Sequence, residues 1–184
     1  MLYIQQSLGP DEELIHVGHF HWMHDVKAVM NIVWGIIAAL MLVFGGIFIY
    51  IKMGKFPPNV DFVTGIQYMH PGLKIVAFLF FIMGLLGFAS MMIEKATTEI
   101  AITNQRIIYK RGLLARHVGE ISVDRIEGVI VLQSIMGRLL DYGRLAVRGM
   151  GVGEVVLPPI KHPIKFRQKV QDARTYKRGD KEDV

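Results

Sequence analysis

The sequence contains no cysteine. That excludes disulfide frameworks, cysteine-based zinc sites and thiol chemistry, and it leaves the redox compartment unread. Charge is missing from two long stretches: residues 28–51 and residues 75–93 hold no Asp, Glu, Lys or Arg. As helices they would run roughly 36 and 28 Å, against a bilayer hydrocarbon core of about 30 Å. An ion pathway usually keeps ionisable groups inside its spans, so their absence argues against a pore or transporter. There is no Ser–His–acid, paired-carboxylate or metal-ligand constellation, and no cofactor is implied. Asp124, Glu127 and Asp141 read as turn and surface acids, and the expectation is a protein that is not an enzyme. No basic recognition helix or motif points to nucleic acid. Residues 149–153 are glycine-rich, but no strand–loop–helix unit surrounds them, so a hairpin is expected there rather than a phosphate loop.

What is present is apolar and unevenly charged. Hydrophobic residues make up 52% of the chain, a high share that favours a membrane class. Residues 1–93 carry four Lys against five acidic groups, whereas residues 94–184 carry seventeen Lys and Arg against eleven acids. A basic domain beside a hydrophobic anchor suggests anionic headgroups as neighbours. The expected layout is a juxtamembrane segment at 1–27, a helical hairpin over 28–93 with spans 28–51 and 75–93, a β domain with a C-terminal helix over 94–178, and a polar tail at 179–184. Residues 52–74, punctuated by Pro57-Pro58 and His70-Pro71-Gly72, read as the loop between spans. Gly35 with Ala39, Gly45-Gly46, Gly84 and Gly87 are candidates for close helix packing. The beginning is not basic and no apolar run follows it at once, so it does not read as a signal peptide. Two spans put both termini on one side. Lys27, Lys95, Arg106, Lys110 and Arg111 near that side, against Lys52, Lys55 and Lys74 in the loop, favour a cytoplasmic location for the termini.

His16, His19, His21 and His24 fall within nine residues. Such density raises metal binding or pH sensing. On a helix, however, they would fan over about 200°, and on a strand only His19 and His21 share a face. The expected role is interfacial, with Phe20 and Trp22 as belt aromatics and no metal.

Strict alternation begins at residue 97. Ile100 and Ile102 face one way, with Glu99, Ala101 and Thr103 the other. Residues 103–106 form a tight turn, since Asn tolerates the left-handed region, and the strand resumes at 107–110. Further strands are expected at 115–122, 129–133, 144–148 and 154–157, with a compact turn at 134–143. A helix opens at His162-Pro163, with Ile164, Phe166, Val170 and Ala173 as its apolar face.

In order and spacing, several short motifs resemble those of bacterial pleckstrin-homology-like (bPH2) membrane proteins. They are residues 3–8 followed by Pro10 and Glu12 or Glu13, His21-Trp22 before two spans, residues 102–108, and Gly112-Leu113. Val131 with Gln133-Ser134, residues 137–140 with Tyr142-Gly143, and Pro163 with Phe166 complete the set. The resemblance implies an α+β membrane protein: a two-helix transmembrane hairpin, then a pleckstrin-like β-sandwich or open barrel capped by a C-terminal helix. It implies no reaction. Two roles remain open. One is a self-assembling interaction or scaffold module at the cytoplasmic face of the inner membrane, with or without a further protein partner. The other is recognition of an anionic lipid headgroup through Arg106, Lys110, Arg111, Arg116, Lys165 and Lys169.

Overall fold

A computed structural model describes residues 2–112, 117–151 and 153–182. The chain forms two compact units. One is Asp25–Met92. The other joins the residues up to His24 to those from Ile93 onward.

The first unit holds most of α2 (Trp22–Lys52) and α4 (Pro71–Thr97), with α3 (Phe62–Tyr68) between them. Both α2 and α4 are long and apolar enough to cross a membrane, and both outrun the charge-free stretches. The expected loop therefore contains a helix. α3 seats Gly65 under Ile47, where an added Cβ would lie 2.9 Å from Ile47 Cδ1. Gly35 and Gly84 bring α2 and α4 into backbone contact: a Cβ on Gly84 would meet the Asn31 carbonyl oxygen at 2.7 Å. Gly87 lies against the Asn31 side chain, which donates to Met91 Sδ at 3.3 Å, and Gly46 lies against Met69. Gly45 faces open space, and Ala39 is half-buried.

The second unit is α+β. It contains α1 (Leu2–Ser7), β1 (Leu14–Gly18), β2 (Glu99–Thr103), β3 (Arg106–Arg111) and β4 (His117–Ser122). After a 3-10 turn at Val123–Arg125 come β5 (Ile126–Leu132), α5 (Ile135–Leu139), β6 (Tyr142–Gly149), β7 (Gly153–Val156), β8 (Ile160–Lys161) and α6 (Pro163–Glu182). Strands β1–β4 form one antiparallel sheet in sequence order. Strands β5, β6 and β7 form the other, with β8 on β6. Among the described residues no ladder between named strands joins the two sheets, and only an isolated bridge from Phe20, just past β1, to Ile160 of β8 links them, so the domain is an open sandwich and not a closed barrel. Residues 115–116, the expected start of β4, lie outside the described residues, as does Leu113.

The core lies between the sheets and under α6. Ile100, Ile102, Ile107 and Ile121 meet Leu145, Val147 and Ile160, and Phe166, Val170 and Ala173 close over them. The buried stripe on α6 is Pro163, Phe166, Val170 and Ala173, a 3–4 residue spacing. Ile164 falls off that stripe and is exposed, contrary to the expected face. α6 also continues to Glu182 through residues expected as tail. β2 is buried on both sides, because α1 covers its outer face. Ala101 and Ile108, on that face, are as inaccessible as the inward Ile100 and Ile102.

Candidate interaction surface

α1 is held by a polar clasp built from two of the short motifs. Gly9-Pro10 turns the chain so that Glu12 points back at the β2–β3 turn. The buried Glu12 carboxylate accepts from Arg106 Nε at 2.9 Å and Arg106 Nη2 at 2.8 Å. It also accepts from Thr103 Oγ1 at 2.7 Å and from the Gly9 amide at 3.0 Å. Arg106 also donates to Glu120 and to the Ser7 carbonyl, both at 2.7 Å. Asn104 exchanges hydrogen bonds with the Glu13 backbone. Burial pushes the Glu12 carboxyl up, but the donors from Arg106, Gly9 and Thr103 outweigh it and hold it below its ordinary 4.5. The Arg106 guanidinium is correspondingly raised, chiefly by its bonds to Glu12. The clasp's ionic contribution is thus fully present above pH 4.5 and is lost as pH falls through the lowered value.

The described members of the six basic positions stand on two elements, β3 and α6. Arg106 is occupied by the clasp. Lys110 stands 3.8 Å from Glu99 and over the Tyr3 ring at 5.1 Å. Arg111 is exposed at the end of β3, and Arg116 lies outside the described residues. Lys165 and Lys169 sit one turn apart on the solvent side of α6, Lys169 being 3.5 Å from Asp172.

A different surface stands out on the second sheet. In register, Ile130, Ala146 and Val156 form one row across its outer face, flanked by Leu132 opposite Arg144 and by Gly128 opposite Arg148. Ile130, Leu132 and Val156 are exposed. Directly beyond Leu132, α5 exposes Ile135 at 87% and Leu139 at 77%. This is not a loose loop. Ser134 Oγ caps α5 by accepting from Gly137 N, and Gln133 Nε2 donates to the carbonyls of Gly137 and Tyr142. A Cβ on Gly137 would stand 2.6 Å from the Tyr142 oxygen, and one on Gly143 2.6 Å from Gln133 Cγ, so both positions demand glycine. Asp141 and His162, hydrogen-bonded to each other through their side chains, both adopt left-handed backbone. A tightly built support therefore holds large apolar side chains outward, and together they form an exposed apolar patch. β5 is also an edge: among the described residues it pairs only with β6. Sequence reasoning passed over this surface, although the unbroken apolar run 129–132 was a signal of a strand apolar on both faces.

Three of the four histidines take different aromatic partners. His16 packs edge-on against Phe166, His24 against Phe20, and His21 stacks on Tyr142. Among the described residues no group of three or more His, Asp or Glu could hold a metal ion. Burial lowers His21, against a hydrogen bond to the Leu140 backbone, and burial together with His19 and Lys169 lowers His16. A histidine kept neutral in the fold gives no pH dependence above its ordinary 6.5. Below that the unfolded chain takes up protons that the folded chain refuses, so stability falls as pH drops. Hydrogen exchange should show protection of β1 and α6 weakening below pH 6.5, by at most about 1.4 kcal/mol per pH unit for each histidine. In the double variant His16→Phe, His21→Phe that slope should vanish.

The family model described as Bacterial PH domain matches residues 17–174. No curated protein and no solved structure matches.

Proposed function

Since the chain belongs to the bacterial PH domain family, we propose that it is a non-enzymatic module, anchored in the cytoplasmic membrane by α2 and α4, that displays its PH-like domain at the inner surface and self-assembles there. A PH-like domain suits work at a membrane surface in general, and the length and composition of the two helices support an anchor. The observation that carries self-assembly is the exposed apolar edge of the second sheet. Strand β5 reads Ile-Glu-Gly-Val-Ile-Val-Leu, with a single charge and no proline. Soluble domains protect such edges with charge, proline or a covering element, because an open apolar edge templates further pairing. A second copy offers a matching edge through a two-fold axis, which lays Ile130 and Leu132 of one chain beside those of the other.

The absence of cysteine makes this testable in the membrane. With Ile130→Cys as the only thiol in the chain, mild oxidation should give a disulfide-linked dimer in intact membranes. Arg111→Cys, on the other sheet, should stay monomeric. Equal cross-linking at both positions would reduce the contact to random collision.

The alternative is recognition of an anionic headgroup by Arg106, Lys110, Arg111, Arg116, Lys165 and Lys169. The exposure of Arg111, Lys165 and Lys169 supports a diffuse attraction of on the order of 1 kcal/mol each near an anionic leaflet. The engagement of Arg106 in the clasp weighs against its being a headgroup ligand.

A further inference from the structure

Strand β5 pairs regularly over only part of its length. A bulge shifts its register on β6 between Ile126 and Gly128, and beyond Leu132 the chain leaves the ladder for the Ser134 cap of α5. The regular segment is Gly128 to Leu132, with Ile130 at its centre. Two copies of an antiparallel edge overlap along that whole segment only when a two-fold axis passes through Ile130. A slip of one residue sets outward side chains against inward ones. A slip of two leaves only residues 128–130, or only residues 130–132, in the overlap.

Shape and charge both fit that register. It sets the exposed Leu132 of one copy opposite Gly128 of the other, and a Cβ on Gly128 would meet nothing within 4 Å. A glycine inside a strand often marks the close approach of another group. The ends of the segment carry opposite charge: Glu127 lies in the bulge before Gly128, and Arg138 lies on α5 beyond Leu132. Both are exposed, and neither side chain has an ion-pair partner among the described residues. A two-fold axis brings each end of one copy to the opposite end of the other, so Arg138 of each chain meets Glu127 of its neighbour. Beside that bulge the Met150 amide donates to the Arg125 carbonyl at 2.8 Å, and the Met150 side chain is exposed. It offers an apolar neighbour for Ile135 and Leu139 of the second chain.

We propose that the β5 edge and α5 together form a self-complementary site that takes a second copy of this chain in one register. Ile130 meets Ile130 on the axis, Leu132 fills the notch over Gly128, and Arg138 pairs with Glu127 of the other chain. This rests on the self-assembly reading above and adds to it the register and the charge pair that select the partner.

The test uses the full-length chain in intact membranes, where introduced cysteines are the only thiols in the protein. Directly opposite residues of paired strands lie within disulfide reach, whereas residues offset along the strands do not. Gly128→Cys and Leu132→Cys should each stay unlinked when expressed alone, and should cross-link to each other when the two chains are co-expressed. Arg138→Glu or Glu127→Arg, each added singly to the Ile130→Cys chain, should reduce its self-linking at least about 10-fold, because like charges then meet. The double reversal should restore the linking, a rescue that a mere folding defect would not produce. A dimer that links Leu132→Cys to itself, or one indifferent to the charge reversals, would overturn the proposed register and leave self-assembly standing. Absence of cross-linking at every β5 position, Ile130→Cys included, would overturn the self-assembly reading and this inference together.

Discussion

Replacing Arg106 with Met is expected to release α1 and to cost about 3–5 kcal/mol, the usual penalty for stripping the partner from a buried charge. Glu12 is nearly inaccessible, with 2% of its side chain exposed, and Arg106 gives it two of its four hydrogen bonds. Without the guanidinium the carboxylate must either stay buried and uncompensated or leave with the segment that carries it. Leaving uncovers Ala101 and Ile108 on the outer face of the first sheet. The reciprocal change, Glu12→Gln, should be milder, about 1–3 kcal/mol, because Arg106 keeps Glu120 and the Ser7 carbonyl. Amide hydrogen exchange distinguishes the two. Arg106→Met should lower protection of β1 and of the backbone around residues 4–12 by on the order of 10²-fold or more, at roughly 1.4 kcal/mol per tenfold. Equal losses for both variants would mean that packing of Ile4, not the ion pair, holds the segment.

The second large effect concerns assembly. Ile130→Glu with Leu132→Glu should leave the fold nearly intact, since both side chains point outward and exposed substitutions usually stay within about 0.5 kcal/mol. Association should fail. Each apolar side chain buried at an interface contributes about 1.5–3 kcal/mol, and a two-fold contact counts every substitution twice while placing like charges together. The apparent affinity should fall by more than about 10²-fold, read as a shift to monomer in light scattering of the detergent-solubilised protein. Ile164→Glu, an equally exposed apolar position on α6, should leave the assembly unchanged. If all three substitutions behaved alike, the outer face of the second sheet would lose its special role.

Much of this architecture was legible in the sequence, and the exceptions share a cause. Charge-free runs and alternation are local patterns, so both long helices and β2, β3 and β6 stood out. β1 did not, because Leu14–Gly18 is a strand only by virtue of its pairing with β2, more than eighty residues away. The same holds for Glu12. It reads as one of three consecutive acids, and nothing local shows that a Gly-Pro turn aims it at Arg106. Taken alone, Arg106 reads as a headgroup cation; only the fold shows its guanidinium donating to Glu12 and Glu120. Ile164 was misplaced by one position because Pro163 serves as the first residue of the buried stripe. Gln133, Gly137 and Gly143 were visible as motif residues, but their purpose, a braced turn that presents Ile135 and Leu139, exists only in three dimensions. A consequence is practical: a fragment starting at residue 95 would lack α1, β1 and the clasp, and is not the folded domain.

The most direct test of the central claim is the subunit count of the full-length protein released from native-membrane nanodiscs into a mass spectrometer. The account predicts one discrete oligomer, built on an even number of chains because β5 pairs about a two-fold axis. A uniform monomer, with the helices still in lipid and the domain still folded, would contradict it.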